Sequence, residues 1–149
     1  MCNLYSMTRT QDEMRRLFAV ERDLAGNLPA LPAIFPDGYA PVVRNGRDGA
    51  RELASMLWGF PALNKPGARP ITNVRNTDSP YWRGWLKPEF RCLVPVTSFC
   101  EYDERANKRP TWFALREERP LFAFAGIYRA HWHTRQRALQ SEKFLVHAA

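Results

Sequence analysis

The sequence predicts a single domain of the α+β class, with two or three helices beside a larger number of short strands. Three observations carry this. The chain has 149 residues and 45% hydrophobic content, enough for one real core and too short for two comfortable domains. A capped amphipathic segment stands near the N-terminus. From residue 39 onward, short apolar runs alternate with Pro, Gly and Asn-Gly punctuation, which is the spacing of strands.

Thr10-Gln11-Asp12-Glu13 has the form of a capping box, and Met14, Leu17, Phe18 and Leu24 recur near helical spacing. This predicts a helix over about residues 10–23, ended by Gly26. Its Arg15, Arg16 and Arg22 read as a solvated face. Four prolines between Asn27 and Pro41 argue for an extended connection. Tyr39 to Arg44 reads as a strand, Asn45-Gly46 as a turn, and Leu53 to Phe60 as the returning strand of a hairpin, although Ala50 to Leu57 also fits a helix. Pro61 to Pro70 is a loop. Ile71 to Asn76 reads as a short strand whose alternation puts Ile71, Asn73 and Arg75 on one face. An amide and a guanidinium there are unusual core material unless they face a cleft.

Ser79-Pro80 has the look of an N-cap followed by proline at N1, opening a short helix over Tyr81 to Leu86 that Pro88 stops. Trp82 and Trp85 are expected to pack inward. Arg91 to Tyr102 is a strand-like run broken by Pro95 and leading into Glu101, which is either a rim salt-bridge partner or a buried general acid. Lys108 to Pro110 turns the chain. Thr111 to Leu115 and Pro120 to Ile127 then read as a second hairpin of buried strands, with Phe122, Phe124 and Ile127 in the core. Tyr128 to Lys143 is polar and reads as a surface loop; its His131 and His133 are only a weak metal hint. Phe144-Leu145-Val146 begins a last strand.

With 22 basic against 15 acidic residues, the net charge of +7 gives a field that favours polyanions. The aromatic residues could stack on exposed bases, and equally must fill the core of a small domain. No stretch approaches the roughly 20 apolar residues of a membrane span, so a cytoplasmic protein without a membrane partner is expected. Cys2, Cys92 and Cys100 are an odd set at no metal-ligand spacing, suggesting neither disulfides nor a zinc site. No cofactor is indicated.

Cys2 follows the initiator directly. Either that is incidental, or removal of Met1 leaves a residue with both a free α-amine, near pH 7.7–8.0, and a free thiol, near 8.5. An aldehyde meeting such a 1,2-aminothiol forms a Schiff base with the amine and is then trapped by the thiol as a thiazolidine ring.

Met1-Cys2, Trp58-Gly59, Thr72-Asn73-Val74-Arg75-Asn76, Pro95, Ser98-Phe99-Cys100-Glu101-Tyr102 and Phe122-Ala123-Phe124-Ala125-Gly126-Ile127 together resemble the SOS-response-associated peptidase (SRAP) family, in the family's order and over nearly the whole chain. The resemblance implies a barrel-like, bifurcated β-sheet with flanking helices. It also implies covalent capture of abasic sites in single-stranded DNA by the processed N-terminal cysteine, with self-removal of the initiator methionine and nucleoid association when bound to DNA. On that footing Cys2 is the nucleophile, Asn73 holds the sugar and the cysteine amine, and Glu101 is the general acid and base. Arg75 grips a phosphate, and Trp58 and Pro41 join Asn73 and Arg75 in DNA contact.

The alternatives are a non-catalytic single-stranded DNA-binding module and, less favoured, a cysteine peptidase acting on other proteins, for which no histidine is placed as base. Two departures stand out. Asn3 and Leu4 replace the Gly and Arg of many members, removing one phosphate-contacting arginine. Members also continue past the end of this chain with a His-Pro segment that supplies a catalytic histidine. His147 lies too early, inside the strand beginning at Phe144, to be equated with it, so the chain is expected to be shortened relative to the family and slower.

Overall fold

A computed structural model describes residues 3–62, 69–103, 107–134 and 137–147. The elements in order are β1 (Tyr5–Met7), α1 (Gln11–Leu17), β2 (Arg22–Asp23), β3 (Leu31–Ile34), β4 (Tyr39–Asn45), β5 (Arg51–Trp58) and β6 (Asn73–Val74). There follow α2 (Pro80–Arg83), a 3-10 turn over Pro88–Phe90, β7 (Arg91–Val96), β8 (Ser98–Asp103), β9 (Arg109–Phe113), β10 (Phe122–Thr134) and β11 (Arg137–His147). No helix among the described residues is long and apolar enough to cross a membrane.

The strands form a closed barrel with a second sheet beside it. β5, β4, β7, β10 and β11 are hydrogen-bonded in that order, and β11 pairs back onto β5. The antiparallel steps are fixed by Val42 opposite Ala54, Val43 opposite Leu93, Phe124 opposite Val94 and Ile127 opposite Leu145. The closing step is parallel, with Phe144 level with Trp58. The second sheet has the order β3-β1-β8-β9. The chain passes from barrel to second sheet at Thr97, whose N–H and hydroxyl both donate to the Ser6 carbonyl, at 2.8 and 3.0 Å. This is the expected α+β barrel, with its bifurcation between β7 and β8.

Tyr5, Met14, Leu53, Met56, Trp58, Val42, Val94 and Phe144 are fully buried in the main core. Tyr5 meets the edge of Trp58 at 5.0 Å, and Phe144 stacks on Trp58 at 6.4 Å, so the N-terminal strand is tied to the closing seam of the barrel. A smaller cluster of Phe60, Val74, Trp82, Ile127 and Leu145 lies under α2. At one barrel end, Arg44 donates to Glu52 at 3.1 Å and to Glu142 at 2.6 Å, under a cation–π contact with Tyr128. Burial opposes the Arg44 charge, and Glu142 and Glu52 more than restore it.

Several expectations are corrected. α1 has its capping box but ends at Leu17, because Ala19 adopts a left-handed φ of 49°. The Val20 and Ala19 N–H groups then close onto the Arg15 and Arg16 carbonyls, a Schellman arrangement built without glycine. Arg22 and Asp23 therefore leave the helix and pair with β5. Pro95 does not break β7. It lies opposite Ala123, beyond the last β4 contact at Val43–Leu93, where the open side of the strand tolerates a missing N–H. β9 pairs with β8 rather than with β10, and is largely exposed. The polar stretch after Tyr128 is a hairpin of β10 and β11 rather than a loop. The α2 helix stops at Arg83, and Ser79 makes no side-chain cap bond; Trp82 and Trp85 do pack inward.

Candidate active site

The site is set by how β5 ends. Trp58 is fully buried, and its indole N–H donates to the Thr72 carbonyl at 3.1 Å. Gly59 follows with φ 116°, and a Cβ there would lie 2.7 Å from the Pro70 ring, so only glycine lets the returning chain approach so closely. Phe60 and Ile71 then exchange backbone hydrogen bonds of 2.8 Å, and β6 lies parallel to the last turns of β11, with Val146 level with Asn73.

This places Thr72 and Asn73 against the start of the chain. The Asn73 amide N–H donates to the Thr72 hydroxyl at 2.8 Å, and that hydroxyl donates to the Asn3 side-chain oxygen at 3.0 Å. From the other side, the Cys100 N–H donates to the Leu4 carbonyl at 2.9 Å, continuing the β1–β8 pairing in which Tyr5 faces Phe99. The N-terminal segment is thus held between β6 and β8.

Two adjoining clefts meet there. One, of about 570 Å³, is lined by Asn3, Arg69, Thr72, Asn73, Arg75 and Asn76 among others. Its neighbour, of about 520 Å³, is lined by Asn3, Leu4, Phe35, Asp37, Cys100 and Tyr102 among others. Arg69 and Arg75 are exposed and, among the described residues, unpaired with any carboxylate, so both cations are available to an anion. Asp37 is a non-glycine residue at φ 63°, held by its N–H to the Trp58 carbonyl at 2.9 Å. Burial holds the Lys143 amine below its ordinary range, with Asp37 acting against it.

The residues expected from sequence fall out unevenly. Cys2 lies outside the described residues, bonded directly to Asn3. Asn73 is 6% exposed and lines one cleft with Arg75, although β6 is too short for strand alternation to reach Arg75. Glu101 is half-buried on β8, between Cys100 and Tyr102 of the second cleft. Trp58 and Pro41, expected to contact DNA, are both buried, and Trp58 supports Thr72 from behind. The loop tip at 63–68 and the side chains of His131, His133 and His147 are also outside the described residues. Among the described residues no three His, Cys, Asp or Glu side chains converge as a metal site would. Thr72, Asn3, Arg69 and Asp37 were not singled out from sequence. Only Thr72 carried a signal, as the neighbour of Asn73.

The profile described as "SOS response associated peptidase (SRAP)" matches residues 1–148. The chain belongs to the SRAP family. Its fold is shared with a Bacteroides thetaiotaomicron protein (TM-score 0.75, 23% identity, 98% of this chain and 67% of that one). A Bordetella bronchiseptica protein is similar (0.72, 21%, 98% and 71%), as is a phage-related protein from the same organism (0.68, 15%, 98% and 68%). The chain has no match among curated proteins. SRAP membership places it in a DNA-damage-associated class of proteins.

Proposed function

We propose that this SRAP chain captures abasic sites in single-stranded DNA through a thiazolidine formed by Cys2 after Met1 is removed. The observation that carries this is the hydrogen-bond relay from Asn73 through Thr72 to Asn3. It anchors the residue next to Cys2 at the mouth of a cleft bordered by two available arginines. A nucleophile that must meet a sugar aldehyde needs such anchoring, because orientation rather than intrinsic reactivity dominates the rate of a two-group reaction.

The α-amine of Cys2 attacks the aldehyde carbon of the ring-opened deoxyribose, and the carbinolamine loses water to give an imine. The thiol then adds to the C=N carbon while its proton passes to nitrogen, closing the five-membered ring. Asn73 is the group that orients the sugar and amine by hydrogen bonding. Glu101, half-buried on the strand paired with the N-terminal segment, gives and takes the protons of water loss. Arg75, with Arg69, takes phosphates on either side of the lesion. Asn3 stands where many members have glycine, which has no side chain, and its carboxamide oxygen supplies the anchor that accepts from Thr72.

Incubation with an abasic oligonucleotide and a denaturing gel tests this. A covalent band with processed protein, absent in Cys2→Ala, is expected. Retention in a native gel without any covalent band would assign the chain instead to non-catalytic single-strand binding.

A further inference from the structure

The second cleft carries groups that a bare sugar does not call for. Its volume is about 520 Å³, within the range of small-molecule sites, and two aromatic residues on its lining, Phe35 and Tyr102, are 57% and 60% exposed. Beside them lies Asp37, an exposed acid in a chain of net charge +7. Lys143 feels its charge, but among the described residues no ion pair or side-chain hydrogen bond occupies the carboxylate. Local preference does not account for Asp37 either. The Gly38 N–H closes a turn onto the Phe35 carbonyl at 3.0 Å, with Pro36 second and Asp37 third at φ 63°, a place that suits glycine or asparagine better. The turn is bolted to β5, since the Asp37 N–H donates to the Trp58 carbonyl and the Trp58 N–H to the Gly38 carbonyl, both at 2.9 Å. Trp58 thus fixes the Asp37 turn through its backbone and the Thr72–Asn3 wall through its indole, and Asn3 lines both clefts.

We propose that this cleft seats the base of a nucleotide flanking the captured sugar, and that Asp37 selects guanine there. This rests on the adjoining cleft being the abasic-DNA site. Phe35 and Tyr102 offer flat faces on which a base stacks. A carboxylate has only acceptors, two oxygens side by side. Among the four DNA bases, guanine alone presents two adjacent donors on its pairing edge, N1–H and the 2-amino group. Adenine and cytosine set a ring-nitrogen lone pair beside their one amino group, and thymine flanks its N–H with two carbonyls, so each opposes a carboxylate oxygen with a lone pair. The carboxylate therefore weakens binding of any strand through its charge and restores it where a guanine meets it. Mixed sequences still bind, in a register that seats a guanine, which keeps binding sequence-tolerant as a whole.

Undamaged dT hexamers carrying one internal dG, dA, dC or dT, titrated by fluorescence anisotropy, test the readout without any covalent step. The dG strand is expected to bind at least about fivefold tighter than the others, the lower end for a bidentate base contact. Deoxyinosine in place of dG removes only the 2-amino group and should forfeit most of that lead, whereas stacking alone would preserve it. Asp37→Asn suits the turn and exchanges one acceptor for a donor, so dG should lose its lead while dA or dC gains. Equal wild-type affinities, a lead kept by deoxyinosine, a dG lead that survives Asp37→Asn, or uniform tightening of all four strands in Asp37→Asn overturns the proposal. Capture rates then locate the base. Abasic strands with dG on one side of the lesion should react at least about fivefold faster at subsaturating protein than the same strands with dT, and a rate indifferent to both neighbours overturns the placement beside the sugar. A dG preference in undamaged hexamers with no covalent capture of any abasic strand supports guanine selection by Asp37 and overturns the capture reading of the adjoining cleft.

Discussion

At the scale of single residues, the site depends on groups that are buried or anchored rather than on groups that merely carry charge. Asn73→Ala removes the first member of the relay to Asn3 and should lower the rate of covalent capture by roughly ten- to a hundredfold, the worth of one strong hydrogen bond. Single-turnover kinetics on abasic DNA, with folding checked by circular dichroism, measures it. Trp58→Phe keeps most of the packing but removes the N–H to the Thr72 carbonyl. It should cost about 1 kcal/mol in urea denaturation and leave affinity for undamaged single strands unchanged. A loss of affinity without a loss of stability would restore Trp58 as a DNA contact. Asn73 was legible in the sequence because a polar amide sat on an apolar strand. The burial of Trp58 and Pro41 was not, since an aromatic residue and a proline occur equally on a stacking surface and in a core.

At the scale of elements, α1 is the place where local signals can be tested most directly. Thr10 accepts from the Glu13 N–H at 3.2 Å, and Glu13 accepts from the Thr10 N–H at 2.8 Å; that backbone bond holds the Glu13 carboxyl below its ordinary range. A depressed acid contributes above its unfolded pKa and loses that contribution as pH falls through the folded value. Thr10→Ala keeps that backbone bond but removes the hydroxyl that accepts from the Glu13 N–H and donates to the Glu13 carboxylate at 3.0 Å; loss of the N-cap should cost about 1 kcal/mol at pH 7, with a smaller gap from wild type once Glu13 is protonated. Thermal melts at neutral and acid pH measure both. The start of α1 was legible because a capping box is a local pattern. Its end was not, because Ala19 takes a left-handed conformation that alanine adopts only when tertiary packing imposes it. The β4–β5 hairpin was legible from Asn45-Gly46. The β10–β11 hairpin was hidden because β10 pairs with β7 as far as Ile127, and beyond Arg129 its partner among the described residues is β11 alone, so no third described strand demands an alternating apolar face.

At the scale of the whole molecule, the barrel brings the first residues of the chain, the middle and the last strand to one place. The closing β5–β11 step carries Trp58, which carries Thr72, which holds Asn3. No window of local sequence contains that connection, and neither periodicity nor the family resemblance conveyed it; the resemblance named Cys2, Asn73 and Glu101 as one site without the residues that link them. The net charge of +7, with Arg69 and Arg75 exposed at the cleft, predicts weak, sequence-tolerant and salt-dependent binding of undamaged single strands. Arg75→Ala should make the slope of log affinity against log salt shallower by about 0.7, one phosphate contact on a single strand. Fluorescence titration at several salt concentrations measures it, and an unchanged slope would remove Arg75 from the phosphate contacts.

Capture of abasic DNA by protein with and without Met1 tests the central claim most directly. Processed protein, verified by intact mass, is expected to give a band that survives a denaturing gel. Protein retaining Met1 has its Cys2 nitrogen tied up in a peptide bond and should form at most a reversible hemithioacetal, leaving no band. Equal covalent capture by the two would contradict the aminothiol mechanism.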